Sequence, residues 1–368
     1  MGENDLSVLK DSIARVLAAH CDRRAVHNFI DGKSDLDVSL WTKAAELGWL
    51  AVGLPEAYGG LGLGVQAWDT LHRELGRYLA PGSFLPTLAF AQWLIEVGGD
   101  DQKAEYLPQI ACGELTVGVP LKILSRAPIK LRDGKLYGRV DLLGSSTDGL
   151  AVVSAGSTDR IECWALISPE NPQASLERLS SWDRTRPVFS LTCDGVAPMG
   201  LIADPEGKVT SKLARHMALA TASDSLGGAA AIAYQTVEYL KGRIQFDKPV
   251  GSNQALKHRC VDMISAIATN EHLLAQAVEC AASGDEDTDM WAALAKAGGC
   301  ETYAFVAADC VQLHGGVGHT WEFDVHLFVK RARLNEVVVA NSSLLRDFAA
   351  QTLAVATRAG RITTELGL

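Results

Sequence analysis

Two short segments near the C-terminal end of this sequence carry residue types suited to a phosphate-rich ligand. In the first, Arg243, Phe246 and Gln254 stand close together; in the second, Gln312, Gly315 and Gly316. The planar guanidinium of Arg243 can pair with a pyrophosphate, and Phe246 offers an apolar face beside it. Gln254 and Gln312 can each donate and accept hydrogen bonds. Gly315 and Gly316 remove side chains where a backbone would have to approach a phosphate. Taken singly, these same residues also read as a solvated arginine, a loop glutamine and a glycine turn between helices. Together they suit a dinucleotide.

The elements that would position them follow from hydrophobic spacing. The chain has 368 residues, 48% of them hydrophobic, enough to bury a sizeable core in two or three packed units. Apolar residues at Leu6, Leu9, Ile13, Val16 and Leu17 mark one helical face, and similar patterns recur from Trp41 to Leu50 and from Trp68 to Leu79. Between these last two helices, Gly53 to Leu63 is rich in glycine and reads as a structural turn. After Gly113 the texture changes to short runs rich in β-branched and aromatic residues: 149–155, 162–168 and 188–193. Turn residues at Arg132-Asp-Gly134 and Pro169 to Pro172 separate them. Helical texture returns near Val209 and lasts to the end, with small residues from Lys212 to Gly242 that admit a close neighbour. The expectation is an α+β fold with an N-terminal helical domain (1–112), a central antiparallel β domain (113–208) and a C-terminal helical bundle (209–368).

Composition narrows the partners. A net charge of −10 with no offsetting basic stripe argues against nucleic acid. No stretch reaches the roughly 20 apolar residues of a spanning helix, and Met1-Gly-Glu-Asn-Asp5 lacks a basic-then-apolar leader, so no membrane and a cytoplasmic location are expected. The eight cysteines are scattered without a Cys-x-x-Cys pair, which reads as reduced core thiols and no metal site.

Tyr239 to Gln254 resembles the R-x-x-F-G-x-P-x-x-x-x-Q stretch of acyl-CoA dehydrogenases. Gln312 to Phe323, continued by Lys330-Arg-Ala-Arg333, is similar to that family's Q-x-x-G-G-x-G-x-x-x-E segment. With the Gly53 to Leu63 turn and the helix-β-helix order, the resemblance spans nearly the whole chain. It implies FAD as cofactor, an acyl-CoA substrate, α,β-dehydrogenation of the CoA thioester and a homo- or hetero-oligomer, dimer or tetramer. It also implies that Arg243, Phe246, Gln254, Gln312, Gly315 and Gly316 meet the flavin's adenosine and pyrophosphate largely across a subunit interface. An electron-transferring flavoprotein is the family's usual electron acceptor.

The departures fall on the chemistry. Dehydrogenation needs a carboxylate at the substrate α-carbon. Counting from Gly315-Gly316, the family's Glu-Gly-Thr falls on Val339-Ala340-Asn341, and the alternative base with its arginine falls on Met217-Ala218. Asp224, two helical turns on and roughly 10 Å further along the axis, is the remaining candidate base, and it reads equally as a polar helix residue. Glu336 reads as a partner for Arg333 or Arg331. Leu115 to Ser125 lacks the family's T-E-P-x-x-G-S-D loop, and Gly138 to Ser146 stands in place of its W-I-T-like strand. Ser181 to Pro187 and Cys193 to Pro198 keep the family texture. The chain therefore resembles the catalytically reduced subunits of mixed assemblies in bacterial sterol and bile-acid side-chain degradation. That implies a same-family partner subunit carrying the base and a bulky polycyclic CoA thioester. Two alternatives stay open at this point: a self-sufficient homomer with a relocated base, and a flavin-free binding or scaffold protein on the same fold.

Overall fold

A computed structural model of the chain describes residues 3–144 and 149–358. Ser145 and Ser146, at the end of the segment replacing the W-I-T-like strand, lie outside the described residues, as does 359–368. Six helices come first: α1 (Glu3–His20), α2 (Arg23–Ile30), α3 (Leu36–Glu46), α4 (Gly64–Arg77), α5 (Phe84–Val97) and α6 (Asp100–Ala111). Eight strands follow: β1 (Val117–Pro120), β2 (Ile129–Arg132), β3 (Lys135–Leu143), β4 (Leu150–Gly156), β5 (Cys163–Ile167), β6 (Ala174–Arg178), β7 (Val188–Val196) and β8 (Gly200–Ala203). The chain then forms the 35-residue α7 (Lys208–Gly242), a hairpin of β9 (Ile244–Gln245) and β10 (Lys248–Pro249), and α8 (Gln254–Ser283). It closes with α9 (Thr288–His314), α10 (Val325–Val337) and α11 (Ser342–Arg358). No described helix is long and apolar enough to cross a membrane.

The turn from Gly53 to Leu63 folds back on itself, as its glycines suggest. A Cβ at Gly60 would lie 2.0 Å from the Leu54 carbonyl oxygen, and Leu61 N–H and Leu63 N–H donate to Ala51 and Val52.

The strands run in the order β6-β7-β3-β1-β4-β5-β8, with β2 paired to β3 and β4. Most neighbours are antiparallel, but β1 and β2 each run parallel to β4, so the sheet is mixed. Every residue of β4 and β5 is buried, and their alternation divides them between two cores. Val152, Trp164 and Leu166 face the large core shared with the helices. Ala151, Val153, Ala155, Cys163, Ala165 and Ile167 face a smaller core on the opposite side. Trp93 from α5 meets Trp164 edge-on at 5.9 Å and donates from Nε1 to the Val209 carbonyl at the start of α7, 2.9 Å away. One tryptophan pair thus joins the first helical group, the sheet and the long helix.

The small residues along α7 are used for close crossing. A Cβ at Gly227 would sit 2.0 Å from the Arg73 carbonyl oxygen, and one at Gly76 would sit 2.1 Å from that of Asp224, so α4 and α7 touch backbone to backbone.

At this crossing lies a buried ionic cluster. Arg331 of α10 donates from Nε to Asp183 (2.5 Å), from Nη1 to Asp224 (3.0 Å), and from Nη2 to Thr185 Oγ1 and the Ala80 carbonyl. Arg186 donates to Asp224 (2.6 Å) and to Asn335 Oδ1 (2.7 Å). All of these side chains are nearly or fully inaccessible, and two arginines balance two aspartates. Burial raises the Asp183 carboxyl, but the Arg331 charge, the Thr185 hydrogen bond and the Arg186 charge together outweigh it and hold Asp183 below the usual carboxylate range. Burial and the neighbouring Arg331 bring Arg186 down to about 10.

Removing one charge from this cluster strands its partners without water. Arg331→Met is expected to cost roughly 3–5 kcal/mol of unfolding free energy, measured by urea denaturation. A change under about 1 kcal/mol would place the cluster among weak surface-type pairs.

Candidate functional site

The two motif segments come together at the end of α7. Tyr239, in the last turns of that helix, stacks on His314 at 4.3 Å and 17°. Phe323 closes on both rings edge-on, at 5.5 and 5.6 Å. His314 belongs to the Gln312-Leu-His-Gly-Gly316 run, so this aromatic trio welds that run to the helix leading into Arg243. The His314 ring also hydrogen-bonds through Nδ1 to the Cys310 carbonyl, and burial keeps its pKa below the ordinary value, so it packs as a neutral ring. Arg259 pairs with Asp309 and ties α8 to α9 just behind.

Beyond the weld, every residue from Lys241 to Pro249 is exposed. Phe246 and Asp247 form the tip of the β9–β10 hairpin with φ of 52° and 62°, the pattern of a two-residue type I′ turn. Asp247 stands where the family motif has glycine; aspartate is among the few other residues that adopt this conformation readily. The tip presents Phe246 at 95% exposure and Ile244 at 53%. Among the described residues the side chains of Arg243, Gln254 and Gln312 form no hydrogen bond or ion pair, and none of the three is buried.

The glycines separate into two kinds. Gly315 ends α9 with φ 63° and ψ −143°, a conformation essentially confined to glycine. Gly316 has no such φ, and a Cβ built there meets nothing within 4 Å. The packing of this chain alone does not require glycine at 316. Free donors, a bare aromatic and an unshielded glycine backbone fit a dinucleotide arriving from beyond the chain surface.

The two positions at which the resemblance would place a base are closed. Met217 and Val339 are both fully buried. Val339 has φ 68°, unusual for a β-branched residue. It is held by a strap from the β domain: Val339 N–H donates to Leu121 O (2.7 Å), and its carbonyl accepts from Ile123 N–H and Leu124 N–H (2.9 and 3.3 Å). From the other side Lys296, itself fully buried, donates to the carbonyls of Glu336 (3.0 Å) and Ala340 (2.7 Å). Leu124, Ala218, Val339, Leu345 and Phe348 enclose a residual space of only about 10 Å³, at the lower limit for a single water. The segment Leu115 to Ser125, which lacks the family's loop motif, supplies this strap.

One end of the closed region is pinned between α5 and α7. Glu96 accepts from Arg215 (2.5 Å) and His216 (2.6 Å), and Arg215 also reaches Asp289 at 3.1 Å. Burial would raise the Glu96 carboxyl, but the hydrogen bond from His216 and the charges of His216 and Arg215 bring it down to about 2.

Asp224, the sequence-based candidate for a relocated base, requires correction. Its Oδ1 accepts from Arg186 and Arg331 and its Oδ2 from Asn335 at 2.8 Å, with 1% exposure. A carboxylate with both oxygens engaged and no route to solvent is part of the ionic cluster. Glu336 pairs with Arg333 at 2.8 Å. Sequence reading missed the cluster itself, the Lys296 anchor and the strap. The nearest signal to the first is the charged run Asp183-Arg-Thr-Arg186 and the Arg331 of Lys330-Arg-Ala-Arg333, which read equally as solvated charges.

Two outcomes follow. Val339→Glu would bury a carboxylate where there is room for one water at most; a loss of at least ~2 kcal/mol is expected, with no gain of activity in the chain alone. A stable, active Val339→Glu chain would refute the closed cleft. Because the folded Glu96 pKa lies below the unfolded value of about 4.3, its contribution to stability is present above that pH and is lost as pH falls toward 2. Glu96→Gln should therefore flatten the acid limb of the stability–pH curve, read by thermal melts between pH 7 and 3.

Comparison with known proteins places these features. The model for "Acyl-CoA dehydrogenase, N-terminal domain" matches residues 3–114, and that for "Acyl-CoA dehydrogenase, C-terminal domain" matches 207–354. The chain is 31% identical over 326 residues to acyl-CoA dehydrogenase IpdE2 of Mycobacterium tuberculosis, covering 88% of this chain and 90% of that protein. It is similar to a solved variant of the Tcur3481-Tcur3483 steroid ACAD, at 27% identity and a TM-score of 0.87 over 96% of this chain and 99% of that one. The ChsE4-ChsE5 complex of Mycobacterium tuberculosis shares the fold at 21% identity and a TM-score of 0.86, covering 96% and 98%.

Proposed function

The chain belongs to the acyl-CoA dehydrogenase family, which is FAD-dependent, and we propose that within it this chain is the base-lacking half of a heteromeric enzyme. It would bring Arg243, Phe246, Gln254, Gln312, Gly315 and Gly316 to a flavin seated mainly in a same-family partner subunit. The observation carrying this reading is the contrast between a bare, unpaired binding face and a sealed base position. Phe246 is 95% exposed while Met217 and Val339 are fully buried.

The flavin supplies a hydride acceptor for the substrate β-hydrogen when bound. This chain's residues do the holding. Arg243 pairs its guanidinium fork with pyrophosphate oxygens, Phe246 covers an apolar ring face, and the two glutamines bond polar edges. Gly316 lets the backbone come close. Removal of the α-proton falls to a carboxylate of the partner, since the positions available here hold Met217 and Val339, Asp224 is engaged on both oxygens, and Asp289, which borders the same space as Val339, is paired with Arg215. That engagement weighs against a self-sufficient homomer using Asp224. A polycyclic CoA thioester is the proposed substrate class, supported by the similarity to a protein described as a steroid ACAD. An electron-transferring flavoprotein is the proposed electron acceptor.

The test is reconstitution. This chain alone should purify colourless and inactive, and co-expressed with a base-bearing family member it should give yellow protein that reduces a dye when acyl-CoA is added. In that mixture Arg243→Ala with Phe246→Ala should lower flavin content about tenfold, the scale expected from losing a charged pair and an apolar contact. Flavin and turnover in the lone chain would refute the proposal.

A further inference from the structure

Between the α2–α3 turn and the loop joining β6 to β7 lies a cleft of about 560 Å³, within the size range of small-ligand sites. It shares no residue with the hairpin face or the sealed base region. Its walls carry opposite charges. Arg178, Arg184 and Arg186 line one side together with Asp183, whose carboxylate is held by Arg331, and Asp35 and Asp37 line the other.

These charges stay apart. Among the described residues neither the Arg178 nor the Arg184 side chain forms a hydrogen bond or ion pair, although three carboxylates, Asp35, Asp37 and Asp183, border the same space. Asp35 occupies the N-cap position of α3 yet makes no capping bond, and Asp37 accepts only from the adjacent Val38 N–H. Arg186 is different: it is 6% exposed and its Nη1 and Nη2 are fixed by Asn335 and Asp224. It gives the basic wall a rigid floor. Phe29 and Ile30 add an apolar surface beside it.

A ligand filling this cleft must be anionic at one end, rich in hydrogen-bond donors at the other, and partly flat and apolar. We infer that the cleft binds a nucleoside monophosphate. Arg178 and Arg184 take the phosphate through charge-assisted bonds, while Arg186, its charge already met by Asp224, serves as the rigid floor. Asp35 and Asp37 accept from the ribose hydroxyls, the role carboxylates play toward ribose in other nucleotide sites. The base lies against Phe29 and Ile30. The site does not depend on the function proposed above, because none of its residues belongs to the flavin-facing surface.

Calorimetric titration of the full-length chain at low salt tests this with AMP and, separately, inorganic phosphate. AMP should bind at least about tenfold tighter than phosphate, reflecting its ribose and base contacts. Arg178→Gln with Arg184→Gln, both on exposed side chains, should weaken both ligands by about tenfold or more. Asp35→Asn with Asp37→Asn should weaken AMP while leaving phosphate unchanged or tighter, because two like charges are removed. Arg243→Ala, on the hairpin face, should leave AMP affinity unchanged. The inference is overturned if wild-type protein does not bind AMP at millimolar concentration or binds it no tighter than phosphate. It is equally overturned if AMP affinity follows Arg243 instead of Arg178 and Arg184, or if the aspartate variants leave AMP unaffected.

Discussion

The packing of this molecule turns on four charges almost wholly withdrawn from water. Arg331 and Arg186, with Asp183 and Asp224, join the turn after α4, the β6–β7 loop, α7 and α10 in one network. Such a network is a demanding constraint: each ion has lost its hydration, and only correct geometry at every partner offsets that cost. The backbone contacts at Gly76 and Gly227 bring α4 and α7 near enough for the geometry to be met. The sheet and helical groups are thereby held in one relative placement, and that placement determines which surfaces close and which remain open.

The closed surface and the open one are products of the same packing. With α5 pinned to α7 through Glu96, Arg215 and His216, and the Leu121–Leu124 strap hydrogen-bonded to Val339, the space beside the former base positions is filled. At the other end of α7, the Tyr239–His314–Phe323 trio fixes the root of the hairpin and leaves its tip unsupported. A rigid root with a bare tip is an arrangement for contacting something outside the chain, since a tip serving the same chain would be packed against it.

Much of this was legible in the sequence for identifiable reasons. The apolar spacing from Leu6 to Leu17 gave α1, and the β-branched runs gave β4, β5 and β7. Arg243 to Gln254 and Gln312 to Gly316 pointed to the proposed binding face, because short-range turn chemistry and residue type are local properties. The parallel pairings of β1 and β2 with β4 were not legible, since register and direction depend on partners distant in sequence. Asp224 misled for a related reason. A carboxylate on a helix looks the same in sequence whether it faces substrate or two arginines drawn from 38 and 107 residues away. Lys296 was silent likewise: its acceptors are main-chain carbonyls, which carry no residue signature.

The bare Phe246 has a consequence for how the protein is made. Phe246 and Ile244 leave apolar surface at an unsupported tip, and apolar surface left bare favours association and recognition by chaperones and proteases. Balanced synthesis with whatever covers the hairpin would then set the working amount of this chain, and an excess would be discarded as surplus.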